Sequence, residues 1–206
     1  MQSILKLLFC TVLYIPIFSL AQEKKPPILY IDVGGGYAKV FSEKGGLMSS
    51  AGLNYETNKN LFTVRYAHIN ELSFDLFMLS PFTPIPIVWS DTSIDEYGIL
   101  YGRRYTEDNF SYSFSAGVSI YEHAEFLKDE QGKYYENSKN YFGVPFEFNV
   151  KWFKSTKKPY TIYGVIPVGK PTAFGNSIGF KLIGNISKHA YIGFGIVWGI
   201  GYHKEY

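Results

Sequence analysis

Residues 190–202 alternate between two chemistries. The even positions, Ala190, Ile192, Phe194, Ile196, Trp198, Ile200 and Tyr202, are apolar or aromatic, and four of the odd ones, 193, 195, 199 and 201, are glycine. Successive side chains of a β-strand point to opposite faces, so this segment has one greasy face and one nearly bare face. In residues 142–152 the even set Phe142, Val144, Phe146, Phe148, Val150 and Trp152 opposes Gly143, Pro145, Glu147, Asn149 and Lys151. In residues 110–120 apolar residues oppose Ser111, Ser113, Ser115, Gly117 and Ser119. Weaker versions run through residues 29–39, 47–56, 61–69, 97–105 and 177–186. The pattern predicts eight strands closing into an all-β, up-and-down antiparallel transmembrane β-barrel, apolar outside and polar inside. A soluble lipocalin-like barrel would require the inverse placement.

The start of the chain fits export. Lys6, an apolar run over residues 7–17 and Ser19-Leu20-Ala21 form the pattern of a cleaved signal peptide over residues 1–21, which leaves residues 22–206 as the barrel domain. The apolar run is too short for a bilayer-spanning helix of about 20 residues. Cys10 is the single cysteine, so cleavage would leave no disulfide, thiol nucleophile or cysteine-bound metal. A formal net charge of +2 gives no nucleic-acid footprint. Aromatics at 18% of residues, with no later apolar helix, again point to a barrel.

The links are expected to be uneven. Thr57-Asn58-Lys59-Asn60 and Thr106-Glu107-Asp108-Asn109 are short, whereas residues 70–96 and 123–140 read as long loops. Short turns on the periplasmic side and long loops outside are the asymmetry of outer-membrane barrels. Residues 155–176 do not fit, falling on the short-turn side; they read as an ordered insertion, or residues 160–168 as an extra strand of a larger barrel.

The segment 142–152 with its Gly-Val-Pro-Phe-Glu core, the pair Gly184-Asn185 and the glycine-alternating strand near Tyr206 resemble the small outer-membrane β-barrels of Gram-negative bacteria. The type is OmpA-like and OmpX-like with eight strands, in a form common among Bacteroidetes. The resemblance implies residence in the outer membrane, contact with its lipid and insertion by the barrel-assembly machinery. It covers nearly the whole chain after residue 21 and transfers architecture, not activity. Residues 155–176, Lys204 and Glu205 depart from the pattern.

Eight ionisable residues face inward by parity: Asp32, Glu56, Arg65, Glu96, Arg104, Glu147, Lys151 and Lys181. An eight-stranded barrel is wide enough only to be filled by side chains, and buried charges must be paired. A structural charge network is therefore expected, built from Glu147 and Lys151 with Arg65 or Arg104 from the opposite wall. Inward glycines at 34, 36, 98, 102, 117, 193, 195, 199 and 201 would make room for large neighbours such as Arg104 and Tyr121 or open a narrow cavity, and they permit the sharp coiling that closing a small barrel demands.

Of the histidines, His68, His123 and His189 fall near the extracellular rim and His203 near the other end. A rim zinc site or a Ser187/His189 lipid hydrolase competes with solvated or interfacial histidines, and the spacing favours the latter. No cofactor, metal or catalytic residue is expected. Residues 74–89, which include Phe77, Phe82 and Trp89, are too apolar for a free loop and read as a lid over the mouth, with an extracellular protein or ligand as second reading. Their prolines are expected to prevent strand pairing. The expected function is a non-catalytic structural or surface-interaction role; the rivals are a lipid-modifying enzyme and a small channel.

Overall fold

The computed structural model describes residues 27–42, 44–71, 73–80, 83–89, 92–128, 134–154, 158–162, 166–172 and 174–203. The signal-peptide segment, Phe82 and Tyr206 lie outside the described residues. Eight long strands form a closed antiparallel ring: β1 (Ile28–Val40), β2 (Gly45–Thr57), β3 (Asn60–Glu71), β6 (Thr92–Thr106), β7 (Phe110–Lys128), β8 (Tyr134–Phe153), β11 (Phe174–Ile186) and β12 (Tyr191–Tyr202). Each of the eight alternating segments is one of these strands. β12 pairs back onto β1 and leaves the ring without an open edge.

The pairing register fixes the stagger. One row of facing residues runs Trp152, Ile178, Trp198, Val33, Ala51, Tyr66, Tyr97, Ile120 and back to β8 at Phe142. One circuit thus shifts β8 by 152 − 142 = 10 residues. With a rise of about 3.3 Å per residue and a strand spacing of about 4.8 Å, that shear gives a tilt of about 40° and a backbone radius of about 8 Å. Such an interior holds side chains and nothing wider.

Burial follows parity. In β12 the exposed set includes Ile192, Phe194, Ile196, Trp198 and Tyr202, while Gly193, Gly195, Val197, Gly199 and Gly201 are buried. Ile99, Val118 and Phe142 are 65%, 68% and 81% exposed, whereas Asp32, Arg65 and Glu96 are buried. A water-soluble protein buries apolar surface and solvates charge. This barrel does the reverse, as a wall against lipid requires.

Strand ends define two ends of the barrel. At the near end β1 begins, β12 stops, and the link from β2 to β3 is a two-residue turn. Asn58 and Lys59 there have φ of 50° and 68°, the double left-handed geometry of a type I′ hairpin.

The links differ from expectation in three places. Residues 123–140 are largely strand, with β7 and β8 paired through His123↔Lys139 as far as Lys128↔Tyr134, so the hairpin projects beyond the ring at the far end. Residues 74–89 also pair, as β4 (Ser73–Ser80) with β5 (Thr83–Trp89), including Leu76↔Pro86 and Met78↔Pro84. Prolines two residues apart lack N–H groups on the same edge, and a two-stranded ribbon has a free edge to place them on. At the near end β9 (Lys158–Ile162) and β10 (Ile166–Thr172) form a separate two-stranded sheet. The insertion is therefore a hairpin outside the ring, and the barrel keeps eight strands.

Candidate functional site

All eight inward ionisable residues are buried in the lumen. Six form one string of alternating sign. Lys151 Nζ donates to Asp32 Oδ2 at 2.5 Å, and Lys181 Nζ to Asp32 Oδ1 at 2.7 Å. Lys181 lies 3.5 Å from Glu147, which lies 3.6 Å from Arg65. Arg65 in turn pairs with Glu96. Lys151, Asp32, Lys181, Glu147, Arg65 and Glu96 thus read plus, minus, plus, minus, plus, minus. The remaining pair, Arg104 and Glu56, meets at 2.6 Å.

The partners differ in part from those expected. Glu147 faces Lys181 and Arg65, while Lys151 is claimed by Asp32. Arg104 sits apart from the string, at the near end. Four cations balance four anions among these eight, so their charges sum to zero at the cost of strict pairing.

Neutral groups complete the string. Asn54 donates to Asp32 at 2.9 Å and accepts from Thr63 at 2.8 Å. Asn149 donates to Glu147 at 2.5 Å. Tyr191 donates to Glu96 at 2.9 Å, and Asn185 bridges Glu96 and Ser119. Arg65 also donates to the Phe146 carbonyl at 3.0 Å. Gly52, facing Asp32 across the β1–β2 pair, matters here because a Cβ would come within 2.8 Å of the Asp32 carboxylate. At Gly193 the space is filled by the Met48 side chain. At Gly193 it is thus Met48, rather than a larger neighbour such as Arg104 or Tyr121, that fills the vacated space.

Different materials stop the two ends. At the near end the Arg104 guanidinium lies 5.1 Å from the Tyr30 ring and 5.7 Å from the Phe153 ring, and Lys151 lies 4.5 Å from Tyr30. Arg104 also donates to Ser111 at 3.1 Å and to the His203 carbonyl at 2.7 Å. His203, one residue past β12, stacks on Phe153. Burial, then the charges of Arg104 and Lys151, push its imidazole down to about 4, which keeps it neutral beside two cations.

The far third of the lumen is apolar, against the expectation of a polar interior throughout. Ala38, Val40, Met48, Ala67, Ile69, Ile94, Tyr121, Ile183 and Tyr191 form one buried cluster with Tyr141 against it. Above it the rings of His123 and His189 stack with centroids 3.9 Å apart, and the His189 backbone N–H donates to the Tyr121 hydroxyl at 3.1 Å. The half-buried His189 ring also packs against Tyr121 and Tyr141. His68 lies elsewhere, on the outer wall, where its Nδ1 is 2.9 Å from Asp95 Oδ1. Among the described residues no group of three or more His, Cys, Asp or Glu could hold a metal. Phe77 and Trp89 fall in the β4–β5 hairpin.

No protein-family model matches the chain, and no curated relative matches it. Among solved structures the chain is similar to Neisserial surface protein A, with a TM-score of 0.51 and 13% identity over 88% of this chain and 100% of that one. It is also similar to the N-terminal β-barrel domain of Pseudomonas aeruginosa OprF, with a TM-score of 0.48 and 8% identity over 87% and 100% of the two chains. For Ail of Yersinia pestis the TM-score is 0.47 and the identity 10%, over 85% and 96%. The chain has the fold of small eight-stranded outer-membrane barrels.

Proposed function

We propose that this chain, exported by removal of residues 1–21, resides in the outer membrane with its near end toward the periplasm and works through its surfaces, its lumen being a sealed structural core. The observation that carries this reading is the six-charge string capped by Arg104, Tyr30 and Phe153 below and by the apolar cluster above. Each of the eight inward charges named above has a counter-charge within 4 Å. An ion crossing the lumen would have to displace one of them, and breaking a buried pair costs about 3–5 kcal/mol.

A structural or surface-interaction role follows. The projecting β7–β8 hairpin and the apolar β4–β5 hairpin at the far end are the surfaces available to an extracellular partner, with Phe77, Phe82 and Trp89 as the proposed anchors. Outer-membrane lipid and the barrel-assembly machinery are the partners proposed for residence and insertion.

Fractionation with outer membranes and heat-modifiable gel migration test the placement. Planar-bilayer recordings test the seal, and no steady conductance is expected. A stable, ion-selective conductance would establish the channel reading instead.

A further inference from the structure

We infer that Arg103, flanked by Lys59 and Asn60, binds the headgroup phosphate of an anionic glycerophospholipid in the near-end leaflet. The inference rests on the membrane placement proposed above. Arg103 is exposed and points outward on β6 between Tyr101 and Tyr105. Among the described outward positions in the near half of the ring strands it is the one ionised side chain. Among the described residues no carboxylate is paired with it. A guanidinium on a lipid-facing wall is costly at the bilayer midplane and nearly free at the interface, so its depth decides what it can meet.

The stagger sets that depth. From Trp152 the row of facing residues climbs six strands to Tyr97, by about 3 Å per strand, and Arg103 lies six residues back down β6 at about 2.5 Å each. Arg103 therefore ends about 3 Å above Trp152, whereas Trp198, two strands along the row, stands about 6 Å above it. Arg103 thus lies level with the tryptophans of the near-end aromatic belt, where lipid headgroups begin.

Contacts made by the β2–β3 turn bring two more donors to its sides. The turn lies against β6, where the Arg104 backbone N–H donates to the Lys59 carbonyl at 3.0 Å. The Lys59 ammonium lies 5.8 Å from the centre of the Tyr105 ring, and the Tyr101 hydroxyl donates to Asn60 Oδ1 at 2.8 Å. Tyr101, Arg103 and Tyr105 are successive outward residues of β6, so the ammonium and the amide bracket the guanidinium from below and above. With its oxygen engaged by Tyr101, Asn60 has its amide N–H groups left to donate.

A guanidinium, an ammonium and an amide call for an anion with several acceptor oxygens. A phosphate diester has two free oxygens sharing one charge; the planar fork of Arg103 takes both side by side, and Lys59 adds a point charge. The wall above completes the match to a lipid, with Val64, Ile99 and Phe114 exposed for the acyl chains and Tyr105 stacked on Tyr112 at the headgroup level. Glu107 and Asp108 follow in the β6–β7 turn, and neither pairs with Lys59 or Arg103 among the described residues. Residues 158–172, which hold β9 and β10 at this end, include Lys158 and Lys170 and no acidic residue. Such an end suits an anionic leaflet surface.

The test uses the full chain folded in detergent, with heat-modifiable migration as the folding check on every variant. Native mass spectrometry with phosphatidylglycerol should show one lipid held more tightly than any other. R103Q should weaken that binding about tenfold or more, K59Q should weaken it less, and K39Q, a change at the far end, should leave it unchanged. R103K keeps the charge without the fork and should recover part of the loss; it replaces R103Q if that variant loses its folded band. Phosphatidylglycerol with a photoactivatable headgroup should crosslink in vesicles to residues 58–105. Equal binding by wild type and folded R103Q, or crosslinks spread evenly around the ring, overturns the site. Displacement by diacylglycerol or by inorganic phosphate, or tighter binding of lipid A, overturns the lipid class. Binding read in detergent is independent of fractionation and conductance, which test the earlier reading separately.

Discussion

The two parts of the lumen solve the same filling problem with opposite chemistries. The far third packs Val40, Met48, Ile69, Ile94 and Tyr191 as a soluble protein would pack a core. The rest holds Lys151, Asp32, Lys181, Glu147, Arg65 and Glu96 in a string. An apolar core tolerates small errors of geometry, since each contact is weak and replaceable. A buried charge has few acceptable partners, and losing one leaves a charge in a medium that cannot solvate it. The charged part should therefore be the more fragile under single substitutions and the more forgiving under concerted ones.

The largest effect is expected at Asp32, the one anion shared by two lysines. D32A should destabilise the barrel by at least about 3–5 kcal/mol in urea unfolding from vesicles, while D32L combined with K151M and K181M should recover most of the loss. A single D32A no worse than a core truncation would break the comparison. The core truncation is I69A, expected to cost about 2–5 kcal/mol and to add simply to other far-end substitutions. E147Q should cost less than D32A, about 1.5–3 kcal/mol, because Lys181 keeps Asp32 and Arg65 keeps Glu96. Equal losses would mean that the string acts as a single unit.

On the outer surface the contrast is lipid against water. F148R should impair insertion by about 2–4 kcal/mol, whereas Y135R on the projecting part of β8 should be near neutral in the same vesicle assay. The smallest effect is a difference in depth. Trp152 and Trp198 share a row two strands apart, and the stagger raises the row by about 3 Å per strand. Lipid-attached quenchers should place Trp152 at headgroup level near the proposed periplasmic side and Trp198 slightly deeper. The reverse order would contradict the register.

Alternation was legible wherever the two sides of a strand face different media. Residues 142–152 show it because Phe148 meets lipid and Asn149 meets the lumen. It fades at residues 135–140, where both sides of the projecting strand are exposed and no lipid demands an apolar face. It fades also where Ile69 and Ile94 make the inner face as apolar as the outer one. That is why the β7–β8 extension read as a loop and the far-end core as part of a polar lumen.

The amino-acid sequence by itself determined the eight strands, their inward and outward faces and the set of charges that must share the interior, because period-two patterning is a local property. Only the tertiary structure decided which charge meets which. Lys181 and Asp32 are 149 residues apart, and what brings them together is the ten-residue shear of the closed ring, a property of all eight pairings at once that no single segment carries.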